Sequence, residues 1–354
     1  MKIFYGVQGT GNGHISRARI MAKQFAKMNI SVDYLFTGRP ADKYFDMECF
    51  GDYQTRNGIS FTSANGRVQH FETLRNLKLA TFIQDVKSLD LSGYDLVLND
   101  FEPVSAWAAR KQNVKCMAIS HQASFLRPVP TKGLTWLDSV ILQHFAPSDI
   151  QLGVHWYHFG YNIIPPFIEP MVQNETSSNK IMVYLPFESL DYVTSILTGL
   201  SDYEFCCYHP DAQNLVLDNI EFKALSRETF KFDLAASTGV IANAGFELSS
   251  EAISYGKPLL LKPLNGQFEQ KSNAHTLSLL GLADVLPDLD MDAIETWLQK
   301  RDAGKVVFPS NPDVFAEWII AGDWSNTKAL KDKLWADVEF PQFVYDKLSR
   351  MKAA

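Results

Sequence analysis

The sequence predicts two α/β domains, each a doubly wound, mainly parallel sheet, facing one another across a cleft. Three observations carry that expectation. Short apolar runs alternate with helical patterns through both halves of the chain, the rhythm of βαβ units. Residues 165–179, opening Pro165-Pro166-Phe167 and turning polar from Gln173 to Asn179, divide the two series as a linker would. Between Val240 and Ala274 the chain runs through a complete strand, small-residue turn, helix and second strand. With 354 residues there is enough chain for two domains of ordinary size. The expected division is 1–164, linker 165–179, 180–326, and a C-terminal helical tail 327–354 returning to the first domain.

In chain order, Lys2 to Val7 is an apolar strand, followed by Gln8-Gly9-Thr10-Gly11-Asn12-Gly13-His14. Ile15, Ile20, Met21 and Phe25 then give a helix its apolar face. The glycines do not make a dinucleotide fingerprint. Counted from Gly9 the third position is His14, and counted from Gly6 the middle slot is Gln8. No Gly-Lys-Ser/Thr follows, which excludes a P-loop. His14 falls at a strand C-terminus, where open α/β sheets place ligands.

Ser31 to Phe36 is a second strand, and Tyr53 to Phe61 a strand pair broken at Asn57-Gly58. His70 to Leu89 has helical spacing with a core-facing stripe. Tyr94 to Leu98 leads into Asn99-Asp100-Phe101-Glu102-Pro103. Asp100 is open to two readings, a carboxylate for chemistry or acceptor binding, and a helix cap. After the strand Cys116 to Ile119 comes Ser120-His121-Gln122. Phe125 to Phe145 is rich in aromatics and leucines with Arg127 and Lys132 among them. That suits core packing, with a lipid-facing patch as the alternative.

The second half repeats the rhythm. Lys180 to Leu185, Tyr203 to Tyr208, Ile220 to Leu225, Val240 to Ala242 and Leu259 to Leu261 read as strands, with a helix around Glu228 to Ala236. Asn243-Ala244-Gly245 opens a helix whose Phe246, Ser249/Ser250 and Ile253 share a face, and Gly256-Lys257-Pro258 ends it. Unpaired N–H groups and the helix dipole make such a start an anion site, and Gly245 lets a phosphate approach. Glu251, further along, is placed for a sugar hydroxyl pair, and Glu269 and Gln270 add polar groups on the same side. Asp288-Leu289-Asp290 precedes the helical pattern Met291 to Leu298, so Asp290 reads as an N-cap rather than a metal ligand.

Composition narrows the function. A net charge of −7 argues against a general nucleic-acid binder. Cys49, Cys116, Cys206 and Cys207 lack CxxC spacing, which suggests neither a zinc site nor a disulfide framework and fits a reducing, cytoplasmic setting. Met-Lys runs straight into a strand, without signal-peptide character. No run reaches the roughly 18 apolar residues of a spanning helix.

The central stretch resembles the donor signature of GT-B glycosyltransferases, especially the MurG-like, glycosyltransferase family 28-like group. The resemblance places Gly245 at the start of a diphosphate-binding helix, with Asn243 and Phe246 beside it. It implies that Glu251 holds the nucleotide ribose, and that Glu269 and Gln270, ahead of Asn273-Ala274, touch the sugar hydroxyls. The run Gly11-Asn12-Gly13-His14 is similar to the first glycine loop of that group. Asp100-Phe101-Glu102-Pro103 resembles an Asp-x-Glu-Pro mark of one branch of it. Related enzymes carry His-Glu-Gln-Asn facing the acceptor; here His121 and Gln122 stand without the intervening Glu. Pro186-Phe187-Glu188-Ser189 replaces a Gly-rich loop of many relatives.

What the resemblance implies is transfer of a hexose or N-acetylhexosamine from a nucleotide sugar, with UDP the expected nucleotide, to a lipid or cell-envelope glycan precursor. His14 is the first choice for base and Asp100 the second. Gly11, Asn12, Gly13, Glu102, His121 and Gln122 are the expected acceptor contacts. No metal and no cofactor are expected. The expected setting is the cytoplasm, with peripheral contact at the inner membrane face as a further option. Two rival functions stand beside it: a sugar-nucleotide 2-epimerase of the same fold and, from another class, a nucleotide-sugar-binding regulator without turnover.

Overall fold

The computed structural model of the protein describes residues 1–59, 63–64, 67–68, 79–171, 179–300 and 302–353. The first sheet is formed by β1 (Lys2–Gln8), β2 (Ser31–Thr37), β3 (Gln54–Arg56), β6 (Leu96–Asp100), β7 (Cys116–Ser120), β8 (Ile150–Val154) and β9 (Ile163–Ile164), while β4 (Ser63–Ala64) and β5 (Arg67–Val68) pair apart from it. Its order is β3-β2-β1-β6-β7-β8-β9, parallel throughout. The helices of this half are α1 (Asn12–Lys27), α2 (Leu79–Ser88), α3 (Pro103–Gln112) and α4 (Trp136–His144).

The second sheet contains β10 (Lys180–Tyr184), β11 (Glu204–Tyr208), β12 (Leu215–Leu217), β13 (Ile220–Lys223), β14 (Gly239–Asn243), β15 (Leu259–Lys262) and β16 (Asp284–Val285). Its order is β12-β13-β11-β10-β14-β15-β16, parallel except for the edge strand β12. Around it lie α5 (Leu190–Leu197), α6 (Arg227–Ala236), α7 (Phe246–Ser254), α8 (Phe268–Leu280) and α9 (Met291–Lys300). The predicted fold class is the one observed. Helices cover both faces of each sheet, so the central strands read as unbroken apolar runs rather than alternating ones, as at Ile3-Phe4-Tyr5 and Val240-Ile241-Ala242, all fully buried.

Strand order reverses between β1 and β6 in the first sheet and between β10 and β14 in the second. At such switch points the loops above adjacent strands diverge to opposite faces and leave a crevice. The loops after β1 and β6 therefore flank one crevice, and those after β10 and β14 flank the other.

Several local expectations change. The Tyr53 to Phe61 segment supplies one strand, β3, which adds parallel to β2; Gly58, at φ +59°, turns the chain, and residues 60 and 61 lie outside the described residues. Of the helix read from His70 to Leu89, residues 79–88 are helical, and 70–78 lie outside the described residues, as do 172–178 of the linker. Asp290 caps α9, its Oδ1 accepting from Ala293 N at 2.9 Å.

The return to the first domain begins before residue 327, with α10 (Pro312–Ala321), which packs against α1. α11 (Thr327–Trp335) continues it. Trp335 Nε1 donates to Ile163 O at 2.7 Å, and Asn162 Nδ2 to Thr327 Oγ1 at 2.9 Å. The tail read as one helical pattern is two helices, separated by residues 336–341. The last, α12 (Gln342–Ala353), packs back on α8 of the second domain.

Packing is tight where β8 passes the 3₁₀ turn at Gln122–Leu126. A Cβ on Gly153 would lie 2.6 Å from Ser124 Cα and 2.8 Å from Ser124 N, both backbone atoms. Gly153→Ala is expected to cost about 1–3 kcal/mol, the range for overpacking, in urea unfolding. Gly93→Ala, where an added Cβ meets nothing within 4 Å, is the control and should change little.

Candidate active site

On the first domain, β1 hands over through Gly9-Thr10-Gly11 to α1, which places His14 in that helix's first turn. Gly9 is required by crowding, since a Cβ there would sit 2.8 Å from Thr37 O and 2.3 Å from the Tyr44 hydroxyl. Over Gly11 a Cβ would meet nothing within 4 Å, so the loop is open on that side. Across the crevice β6 ends at Asp100. Phe101 then takes φ +54°, a left-handed conformation unusual for a bulky residue, with its ring stacked on Phe145. This bend lets two neighbouring acids face different ways, Asp100 toward α1 and Glu102 into the start of α3.

His14 Nδ1 lies 2.7 Å from Asp100 Oδ1. Arg17, one turn further on the same face of α1, grips the same carboxylate with two donors, Nε to Oδ2 at 2.8 Å and Nη2 to Oδ1 at 2.9 Å. Burial alone would raise the Asp100 carboxyl; the Arg17 guanidinium, then His14, overcome that and hold it below its ordinary value. An ionised Asp100 only accepts, so Nδ1 of His14 is the donor, which leaves Nε2 as the nitrogen that bears the lone pair whenever the ring is neutral. With 16% of its side chain exposed, the ring is reachable while Asp100 is not.

The second domain meets this group directly. Arg17 Nη1 donates to Glu247 Oε1, in the first turn of α7. Gly13 leaves room for it, because a Cβ there would come within 2.9 Å of Glu247 Cγ. Gly245 is the N-cap of α7, at an ordinary φ of −72°, with no side-chain cap at this helix start. A Cβ on Gly245 would also meet nothing within 4 Å. Its glycine is thus a matter of approach rather than of backbone conformation, and the first N–H groups of α7 are open to an anion.

Beside them, Asn243 Nδ2 donates to Lys262 O at 2.9 Å while its buried Oδ1 has no partner. Lys262 Nζ and Glu188 Oε1 form a buried ion pair at 2.5 Å, with Glu188 supplied by the loop after β10. Among the described residues no three His, Cys, Asp or Glu side chains gather as metal ligands.

Other expected site residues are used differently. Glu102, expected at the acceptor, is fully buried and caps α3: Oε1 accepts from Val104 N at 2.7 Å and from Thr37 Oγ1 at 2.9 Å, Oε2 from Ser105 N at 2.6 Å. Asp100 is therefore not the cap. Phe246, expected at the donor, is buried at the domain junction, stacked on His121 at 4.0 Å and packed by Trp156. Gln270 is buried with Oε1 accepting from Leu264 N at 2.8 Å, which shapes its own loop. His121 is buried too, its two nitrogens against Val154 O at 2.8 Å and Asn273 Oδ1 at 2.6 Å. Gln122 Nε2 donates to Glu269 Oε2 at 3.0 Å, joining an expected acceptor residue to an expected sugar residue across the domains. Asn12 Oδ1 accepts from Arg39 Nη1 at 3.0 Å.

Sequence reasoning missed Arg17, Glu247, Lys262 and Arg39. The signal for Arg17 was its helical i, i+3 spacing from His14. Glu247 was recognisable only as an acid in a first turn.

Glu251 stands on α7 with Lys231 and Arg227 of α6 nearby. Burial pushes its carboxyl up to about 7, against the pull of Lys231. A carboxyl raised in the folded state weakens folding as pH rises from its unfolded value to its folded one. Glu251→Gln should therefore match the wild type in melting temperature near pH 4.5 and exceed it increasingly up to about pH 7, with the difference level beyond that. An unchanged difference across that window would show that the carboxyl is not raised.

The comparisons with known proteins agree with this fold. The family model described as Glycosyl transferase family 1 matches residues 1–136 and 152–301. No curated protein matches the sequence. Among solved structures, the glycosyltransferase of kitacinnamycin superposes with TM-score 0.58 at 15% identity, covering 95% of each chain. The calicheamicin glycosyltransferase CalG4 gives 0.55 at 15% identity, over 85% of this chain and 90% of that one. MurG of Acinetobacter baumannii gives 0.53 at 12% identity, over 95% and 100%. At these identities the likeness speaks for the GT-B fold, whereas the family match spans most of the chain. The protein belongs to glycosyl transferase family 1.

Proposed function

We propose that the protein transfers a hexose or N-acetylhexosamine from a nucleoside diphosphate sugar, UDP being the first nucleotide to test, to a hydroxyl bound by the first domain. The observation that carries this reading is the His14–Asp100 pair at one switch point, placed against the uncapped N-terminus of α7 at the other. Support for a nucleoside diphosphate also comes from a structural neighbour at 12% identity and TM-score 0.50, a spinosyn rhamnosyltransferase, solved with thymidine diphosphate.

In this reading Nε2 of His14 takes the proton of the acceptor hydroxyl, and Asp100 holds the ring and stabilises the imidazolium that forms. The leaving diphosphate gains charge at the open N–H groups after Gly245, where the α7 dipole stabilises it without a metal ion. Glu251 meets the ribose, and Glu269 the transferred sugar beside Gln122. The acceptor lies over Gly11 and Asn12. The meeting of the two domains excludes water, which would otherwise hydrolyse the donor. A lipid or cell-envelope glycan precursor is the acceptor class to assay first.

UDP is expected to raise the melting temperature in the presence of EDTA. Dependence of that shift on added manganese would overturn the metal-free reading. Glu251→Ala should weaken UDP binding by roughly 1.5–3 kcal/mol, the range for a hydrogen bond to a charged group; unchanged affinity in a folded variant would remove Glu251 from the donor site. Product analysis with a UDP-sugar alone separates transfer from 2-epimerisation, since only an epimerase yields a new sugar nucleotide.

His14→Ala should lower turnover by roughly 10²–10⁴-fold, the usual range for a positioned base, with UDP affinity retained. Asp100→Asn should lose less, and the double variant should be no worse than His14→Ala, because residues acting as a unit are not additive. Abolished transfer in Asp100→Asn beside near-normal His14→Ala would exchange the two roles.

A further inference from the structure

We propose that Arg17 and Glu247 are positioning residues that couple the donor-side helix α7 to the orientation and proton affinity of the His14 ring. The proposal rests on the reading of His14 as the base.

Arg17 is 2% exposed and has donors committed in two directions. Nε and Nη2 form the fork on Asp100, and Nη1 reaches across the domain boundary to Glu247. A guanidinium is planar and rigid, so these contacts do not vary independently. Displacing Glu247 turns the plane, which moves the fork on Asp100, and His14 Nδ1 rests on the same Oδ1 that Nη2 holds. The chain of contacts thus runs from α7 through a single rigid group to the imidazole.

Two further observations favour a dedicated link over incidental packing. Glu247 lies two residues beyond Gly245, in the first turn of a helix whose open N–H groups suit an anion. A free carboxylate there would repel a diphosphate. Paired with Arg17, its charge is compensated and directed away toward the first domain. Gly13 in turn leaves room for the Glu247 side chain, since a Cβ there would lie 2.9 Å from its Cγ. Loop, helix start and cation are shaped to one another across two domains.

The groups facing His14 are Asp100 from β6, Arg17 on its own helix and Glu247 from α7. Tyr5 of β1 lies behind them, its hydroxyl kept neutral because burial raises it well above its ordinary value. The signs then follow from charge. Arg17 disfavours an imidazolium and Glu247 offsets part of that effect. Glu247→Gln leaves the Arg17 charge less compensated, and the His14 ring should titrate at lower pH. Arg17→Met leaves Asp100 to His14 alone, and the ring should titrate at higher pH.

The experiment follows the His14 ring by ¹⁵N NMR of the full chain, its signal assigned by loss in His14→Gln. The expected result is displacement of the titration midpoint by about half a pH unit or more, a threefold or larger change in proton affinity, downward in Glu247→Gln and upward in Arg17→Met. A purely structural pair would lower stability in both variants without opposite displacements. Should Arg17→Met not fold, Glu247→Gln at its partly exposed position decides alone, and an unmoved midpoint there overturns the proposal. A second arm adds saturating UDP, which should shift the His14 signal in the wild type and lose that effect in Glu247→Gln. Absence of any UDP effect on the wild type would count against the UDP-sugar reading of the site, while the titration arm would still decide the role of Arg17 and Glu247.

Discussion

A fully buried carboxylate, Asp100, is the constraint around which this molecule is arranged. An ionised acid out of water is tolerated only with a counter-charge and with its lone pairs occupied. The fork from Arg17 supplies both, and His14 takes the remaining approach to Oδ1. Breaking such a pair by removing one partner costs roughly 3–5 kcal/mol, because it strands the other charge. The pair therefore ties β6 to α1 at the strand-order reversal of the first sheet. The left-handed turn at Phe101 is retained for the same reason: it lets consecutive acids serve opposite ends, one at the crevice and one as the cap of α3.

The two domains meet through polar groups that satisfy one another. Arg17 meets Glu247, His121 meets Asn273, Gln122 meets Glu269, and Trp156 Nε1 donates to Ser250 Oγ at 2.8 Å. Phe246 fills the apolar space between His121 and Trp156. Each of these buried donors and acceptors would be costly to leave unpaired, so the junction has a defined register. Residues that resemblance assigns to ligand contact can thus serve the interface, and those nearest the open space over Gly11 and Gly245 are the ones with a free face.

The second crevice is built by a different solution from a glycine loop. After β10 the chain offers Glu188, which pairs with Lys262 at the end of β15 and whose backbone carbonyl lies 2.9 Å from His209 Nε2. A buried ion pair fixes that loop where glycines would leave it to wrap a phosphate. In the proposed reading the diphosphate is then met by the first turn of α7 rather than by this loop, since the charge of Lys262 is compensated by Glu188. Burial also raises the carboxyl of Glu251, on α7, to about 7.

The sequence by itself determined the two sheets, because parallel strands buried on both faces must be short apolar runs and the helices between them must carry one apolar stripe. It also marked the small-residue turns at Gly11 and Gly245 and the acids at 100 and 102, since turns and strand ends are local features. Only the tertiary structure decided which acid faces the crevice, because Asp100 and Glu102 differ in environment and not in kind. It decided that Phe246 and Gln270 turn inward, and that Arg17 and Glu247, 230 positions apart, share a contact. A hydrogen bond between domains leaves no period in the chain that could announce it; it exists where surfaces distant in sequence bring complementary charges together and exclude water.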